Sequence, residues 1–401
     1  MRIFLHELRR LLRPVPLLAA LLLLFLFERG PFDYYLSTLP GQSETGSVLE
    51  IYVGWREQYG TTLDPEELPQ IRQQLDALYA EADETIAHWD ETKWAQWASF
   101  SDAGVTNYAE YRKLLQELPQ NTRDLSANNV AALLLDSRTD FLQMRINAVK
   151  NVVEQYGFEK EGLLSAEPSG SAEYARGMQI ASNPEIIHSL LYSQLIYAAQ
   201  ESAAYLAAVL LLMLAVIVSP RLVRDRLCRM PQTQWTTRTG RKLSCYQLAA
   251  AIAFSAILSL GIVLGYGIRF CVNWHVNRFW DCMAYAAAGS QIPWFDLTYG
   301  QYLLILAALL MAFGVACGAL MYFLSRFSGN YIAMLLKAIP GFLALAALSG
   351  QVFPLCLYFG NRLSGLSGMP GTEPAVTAAI LVGTLILARS AARRDGRQEL
   401  L

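Results

Sequence analysis

The chain has 401 residues, 54% hydrophobic and 16% charged, with a net charge of −2 and a mean hydropathy of +0.26. Soluble domains carry roughly 25% charged residues, so this composition excludes an ordinary soluble protein and predicts an integral membrane one. The net charge conceals segregation: residues 1–13, 220–243, 325–330 and 389–401 hold 16 Lys/Arg against four acids, while 28–200 hold 12 Lys/Arg against 26 acids. The pI of about 6.1 averages a basic side and an acidic side and leaves no nucleic-acid partner.

The N-terminus, MRIFLHELRRLLRPVPLLAALLLLFLF, is a basic, partly amphipathic lead into an apolar run from Pro14 to Phe27. That run is short for a span of about 20 residues, and a cleaved signal peptide competes with a retained anchor. Leu11 and Leu12 extend the run with Arg13 able to snorkel, and the exit FLFERGPF lacks a small-x-small cleavage pattern. Residues 1–27 are therefore read as a cytoplasmic lead and the first transmembrane helix.

Residues 28–200 show a helical period and contain no cysteine, which predicts a helix-packed extracytoplasmic domain and not a disulfide-stapled one. Asp64 as N-cap, Pro65 at the first helical position, and Glu66 and Glu67 in the first turn predict a helix start. Leu68, Ile71, Leu75, Leu78, Ala82, Ile86 and Trp89 then form one apolar stripe. A second long helix is predicted from about Ser126 to Tyr156, with Leu142, Ile146, Val149, Val153 and Tyr156 on one face. A third starts at Asn183 and Pro184 and is expected to run unbroken through Ser202 into the second membrane span, mounting the domain rigidly on it.

Further apolar runs at 202–219, 245–268, 301–325, 331–350 and 374–388 each suit a hydrocarbon core of about 30 Å. Residues 201–401 are thus read as a five-helix membrane domain, and the first span brings the total to six transmembrane helices. The expected fold is an all-α integral membrane protein with a large α-helical extracytoplasmic domain between helices 1 and 2. Between helices 2 and 3 lies a connection, 220–244, in which Arg221, Arg224, Arg226, Arg229, Arg238, Arg241 and Lys242 face the single acid Asp225. The positive-inside rule places that connection in the cytoplasm, and even parity puts both termini there with it, as the basic tail ARSAARRDGRQELL agrees.

The connection 269–300 carries Trp274, Phe279, Trp280, Tyr285, Trp294, Phe295 and Tyr299, read as an aromatic belt, with core packing or a ligand platform as alternatives. Cys271 and Cys282 lie in or beside it; two unpaired thiols are expected over a disulfide. Lys337 and Pro340 interrupt the inner end of the fifth run, and the Gly- and Pro-rich stretch 351–372 after it reads as re-entrant-like. Lys337 sits about 10 Å deep by helical rise, which makes it a candidate functional charge; snorkelling to the headgroups is the simpler account.

Catalytic chemistry is not written in the chain. TRTGRKLS fails as a phosphate loop, because Trp235 stands where Gly is required. His6, His88, His188 and His275 show no ligand spacing, and Cys271, His275 and Cys282 do not match a zinc pattern. No GxSxG, HExxH or CxxC motif occurs. No catalytic, cofactor or metal site is expected. One span, a large domain and then five spans offer no two equal halves, which disfavours a carrier built from inverted repeats.

With its short basic lead, its outer domain after span one and the segment RDRLCRMPQTQWTTRTGRKLSCYQLAAA between spans two and three, the chain resembles the membrane subunit, or permease, of ABC-2 type ABC transporters. That family often shows a Glu, then an s/t-x-x-G-R step, then a leucine-rich helix with a Lys near its start. Thr237, Gly240 and Arg241 match the step; Asp225 stands where Glu is usual, and Gln247 and Leu248 stand where the Lys would be. The resemblance implies an exporter half in a bacterial cytoplasmic membrane, working as a homo- or heterodimer with a second permease chain and two copies of a separate ATPase. It implies that ATP acts through that partner and that Arg224, Asp225, Arg226, Thr237, Arg238, Gly240 and Arg241 form the coupling loop. The arginines also suit lipid headgroups. The alternative is a non-transporting sensor or scaffold whose acidic helical domain binds a ligand.

Overall fold

The computed structural model describes residues 2–41, 43–93, 141–156, 171–228, 243–286 and 291–395, with the single positions 95, 135 and 163. In chain order the principal helices are α1 (Arg2–Leu11), α2 (Pro14–Phe27), α3 (Leu39–Gly41), α4 (Ser43–Tyr59), α5 (Leu68–Ala87), α6 (Leu142–Gln155), α7 (Ala172–Ala181) and α8 (Pro184–Ile187). They continue as α9 (Ser193–Leu227), α10 (Leu243–Asn273), α11 (Val276–Phe279), α12 (Tyr299–Arg326), α13 (Tyr331–Val352), α14 (Arg362–Ser367) and α15 (Thr372–Asp395). Among the described residues the fold is helical, with two isolated β-bridges, Thr62 to Ser189 and Pro293 to Tyr358. Two compact units form: Met1–Ser37 with Gln194–Val276 and Gln291–Leu401, and Thr38–Ser193 with Asn277–Ser290.

In the first unit, α9, α10, α12, α13 and α15 are each long and apolar enough to cross a membrane. The bent pair α1 and α2, broken by 53°, makes a sixth if counted as one span. Pro14 opens α2, where its missing N–H costs nothing but cannot continue the helix before it. Residues 28–37, expected in the outer domain, belong instead to this unit. Polar groups hold them to the end of α10: Tyr266 Oη donates to Glu28 at 2.6 Å, Arg269 pairs with Glu28 and with Asp33 at 3.3 Å, and Trp274 Nε1 donates to the Tyr35 carbonyl at 2.9 Å.

The helices pack α10 on α12, α12 on α15 and α1 on α10. The α10–α12 approach depends on a Gly-x-x-x-Gly step, Gly314 and Gly318, set against Ser259 and Ser255. A Cβ at Gly318 would stand 2.7 Å from the Ser255 Cβ, and one at Gly314 would stand 3.0 Å from the Ser259 Cβ. Without a hydrophobic force between helices in lipid, such small-residue steps let backbones close to full van der Waals contact. The fifth span corrects an expectation: α13 runs through Pro340 as one helix, since a span tolerates proline where neighbouring groups satisfy the freed carbonyl.

The second unit is a helical packing of its own. The stripe predicted on α5 is inside: Leu68, Ile71, Leu75, Leu78, Ala82, Ile86 and Trp89 are all buried. It meets Leu142, Ile146 and Val149 of α6, and Trp55 of α4 donates to Gln74 of α5 at 2.8 Å. The start of α5 falls at Leu68, with residues 65–67 forming a turn; Glu67 reaches back to the Asp64 amide at 2.9 Å. The part of the second predicted helix before Phe141 lies outside the described residues, apart from the single position 135. The third predicted helix does not run unbroken. α8 ends at Ile187, and the bridge of Thr62 to Ser189, with Leu63 N donating to the His188 carbonyl at 3.0 Å, takes the chain out of helix until Ser193.

Most of the supposed aromatic belt is core. Trp274, Phe279, Tyr285 and Tyr299 are buried, whereas Trp280 and Phe295 are exposed. The six cysteines are free thiols, so Cys271 and Cys282 are not paired.

Two outcomes follow. Gly318→Ala forces α10 and α12 apart and lowers the thermal midpoint in detergent, an overpacking cost of about 1–3 kcal/mol; Gly261→Ala, with nothing within 4 Å of its Cβ, does not. Burial pushes the Cys282 thiol up to about 11, against the pull of Arg56. The folded chain thus keeps that proton while the unfolded chain, ionising near 9.0, releases it. Stability is full below pH 9 and falls as pH rises from 9 to 11, by about 3 kcal/mol at most. Unfolding midpoints measured across that window decline more in the wild type than in Cys282→Ala.

Candidate coupling site at the base of the second span

Helix α9 does not stop at residue 219. It continues through Pro220 to Leu227, so the expected connection from 220 to 244 begins with two further helical turns. Arg224 and Asp225 are on helix, Arg224 exposed and Asp225 buried; Arg226 is the next helical position. Thr237, Arg238, Gly240 and Arg241 lie outside the described residues.

The helical extension lets α9 present Arg221 and Asp225, four residues apart on one face, to α1. Glu7 on α1 accepts a hydrogen bond from Arg221 Nη2 on its carboxylate, and its backbone carbonyl accepts from Arg221 Nη1 at 2.6 Å. Arg10, one turn along α1, donates to Glu7 at 3.1 Å and to Asp225 at 2.6 Å. Two carboxylates and two guanidiniums thus form a neutral cluster, with Glu7, Arg221 and Asp225 buried. Desolvating such charges is costly, and only mutual pairing with added hydrogen bonds offsets it. Removal of one partner leaves an uncompensated buried charge.

The far stem of the connection is also fixed. Arg326, buried at the end of α12, donates to Ser244 Oγ at 2.9 Å and to Gln247 Oε1 at 3.3 Å. Tyr322 Oη donates to the Ser244 carbonyl at 2.9 Å. The basic segment is therefore strung between two anchored helix ends, one clasped to α1 and the other to α12. Gln247, where a Lys was looked for, is an acceptor for Arg326; a cation there would meet a cation.

Lys337, the candidate intramembrane charge, donates from Nζ to the Phe327 carbonyl at 2.7 Å. It serves the residue that caps α12, where a cation meets the negative end of the helix dipole.

Sequence reading missed Glu7, Arg10 and Arg221 as a unit. The signal was present: Glu7 is the sole acid in residues 1–27 and Asp225 the sole acid in 220–243. Two lone acids in two basic segments are natural counter-ions, but their pairing needs the extra turns of α9. No group of three or more His, Cys, Asp or Glu among the described residues makes a metal cluster.

A family model described as ABC-2 family transporter protein matches residues 63–372. No curated protein and no solved structure matches the chain.

The cluster sets a measurable stability pattern. Glu7→Gln or Arg221→Met alone costs about 3–5 kcal/mol, while the double replacement Glu7→Met with Arg221→Met recovers most of it. Thermal midpoints of the three variants in detergent check this; equal losses in all three contradict it.

Proposed function

The chain belongs to the ABC-2 family of transporter proteins as its membrane-spanning permease, and on that premise we propose that it is an exporter half driven by a separate ATPase docked on residues 220–244. The observation that carries this reading is the double anchoring of that connection. A push delivered to a strand of chain moves a helix only if its ends are fixed to helices. Here one end is locked to α1 by a four-charge cluster, three of whose members are buried, and the other to α12 by Arg326. α1 and the base of α9 then act as one lever, and α10 with α12 as its counterpart, closed on each other at Gly314 and Gly318.

In this reading the partner binds and hydrolyses ATP, two copies of it serve two permease chains, and this chain holds no nucleotide. Both termini and the connection 220–244 face the cytoplasm of a bacterial cell, which the concentration of Lys/Arg in those segments supports. Arg224, exposed beside the buried Asp225, and Arg226, Thr237, Arg238, Gly240 and Arg241 form the contact with the ATPase. Arginines there suit bidentate pairing with its carboxylates. The break between α8 and α9 removes a continuous rod from Asn183 as the route of the push into the second unit.

Charge reversal tests the docking role. Arg238→Glu with Arg241→Glu lowers both co-purification of the proposed partner ATPase and its permease-stimulated turnover, by about tenfold or more, equivalent to about 1.4 kcal/mol. Reversal of Arg393 and Arg394 in the basic tail leaves both unchanged. Intact co-purification and turnover after the first pair of changes would refute the docking role and leave these arginines with topology and lipid alone.

A further inference from the structure

Every other buried acid of the first unit has a cation. Glu7 and Asp225 have Arg221 and Arg10. Glu373, at the start of α15, has none among the described residues: it is 0% exposed, and no charged donor meets either carboxylate oxygen. The groups beside it are uncharged. The Ser364 hydroxyl and the Glu373 amide are the neutral donors nearest the carboxyl, and Ser364 Oγ is shared with the Asn361 carbonyl at 3.0 Å. Cys356 stands next to it and, beyond that thiol, Tyr358 and Tyr302, rings 5.8 Å apart and edge-on. Of the basic side chains described nearest in sequence or on the packed helices, Arg269 is committed to Glu28 and Asp33, Arg362 on α14 is exposed, and Lys337 on α13 is held at Phe327.

A lone carboxylate cannot stay ionised in such a place. The penalty for an unpaired buried ion far exceeds the favourable pull of a helix N-terminus. A metal ion would need several further oxygen ligands, and no such group of acids exists among the described residues. A proton meets the requirement alone.

The carboxyl is covered by the chain segment between α13 and α15, and that segment is under strain. Leu355 and Leu357 have φ of 52° and 65°, the left-handed region that a branched side chain adopts only under constraint. Side-chain bonds hold it there: Gln200 Oε1 accepts from the Leu355 amide at 3.1 Å, and Asn361 Nδ2 donates to the carbonyls of Gln351 and Pro354, each at 2.8 Å. A strained segment tied by a few polar contacts is bistable in character, and its displacement exposes the acid to water.

We propose that Glu373 is a proton-binding site of the membrane unit, loaded while the segment 353–371 is packed over it and emptied when that segment moves and admits water. Loading forms the O–H bond of a neutral carboxylic acid; emptying returns H⁺ to water and leaves the carboxylate. The proposal rests on the membrane reading and not on the ATPase, so its test is separate from that of the docking role.

Infrared spectra of the full chain in dodecyl maltoside at pH 7 provide it. The wild type shows a protonated carboxyl C=O band, worth one group per chain, that shifts in D₂O and is missing in Glu373→Gln. That variant, a neutral isostere, keeps the wild-type thermal midpoint to within a few degrees. In Gln200→Ala with Asn361→Ala, which loosens the segment, the band is diminished at least twofold at the same pH. A wild type whose spectrum contains no carboxyl band removed by Glu373→Gln overturns the proposal, as does a band that Gln200→Ala with Asn361→Ala leaves at full intensity.

Discussion

The pairing of Glu7 with Arg221 joins the first helix of the chain to the base of its second span across more than two hundred residues of sequence. In an apolar surrounding such a contact has no substitute, because neither water nor a stray counter-ion is there to take a partner's place. Arg10 and Asp225 extend it into a neutral group of four, and this allows α1 to lie against the bundle with Glu7 inside. The same requirement governs the other ends. Glu28 finds Arg269, Arg326 finds Ser244 and Gln247, and Lys337 finds a helix-terminal carbonyl.

Packing and polar pairing divide the work between them. Gly314 and Gly318 set how closely α10 and α12 approach, a matter of ångströms between Cβ positions. The polar clusters set which helix ends stay together. Between them the basic connection has two fixed stems, and a partner pushing there acts on helices and not on slack chain. Glu373 stands apart as a fully buried acid without a counter-ion among the described residues, beside a segment that holds Leu355 and Leu357 at positive φ.

Helices were legible wherever one residue type repeats with one period. The α5 stripe of Leu68, Ile71, Leu75, Leu78, Ala82 and Ile86 needs only the 3.6-residue turn to be read, and all of it is buried. Runs of apolar residues located five long helices, but their ends less well: α9 begins nine residues before the predicted start and runs eight beyond the predicted end, and α10 and α15 run five and seven beyond theirs. Those ends are polar, and hydropathy reports burial in lipid, not helix. The aromatic cluster between α10 and α12 misled for a related reason: Trp274 and Tyr299 can serve a membrane interface or a core, and only a partner such as the Tyr35 or Leu195 carbonyl decides which. The step Gly314-Val-Ala-Cys-Gly318 went unread, because it gains meaning only against its partner serines on α10. The site residues Glu7 and Arg221 were hidden by distance along the chain, and Glu373 by the absence of any motif around it.

The central claim is that α1 and the base of α9 move as one body when the partner ATPase works. Spin labels at Leu5 and Leu227, both exposed, report it through their distance distribution in the permease–ATPase complex, nucleotide-free and trapped with ATP. The account predicts one narrow distribution, unchanged between the two states. A distribution that shifts or splits on ATP trapping would show that the four-charge clasp opens during the cycle, and the lever would have to be placed elsewhere.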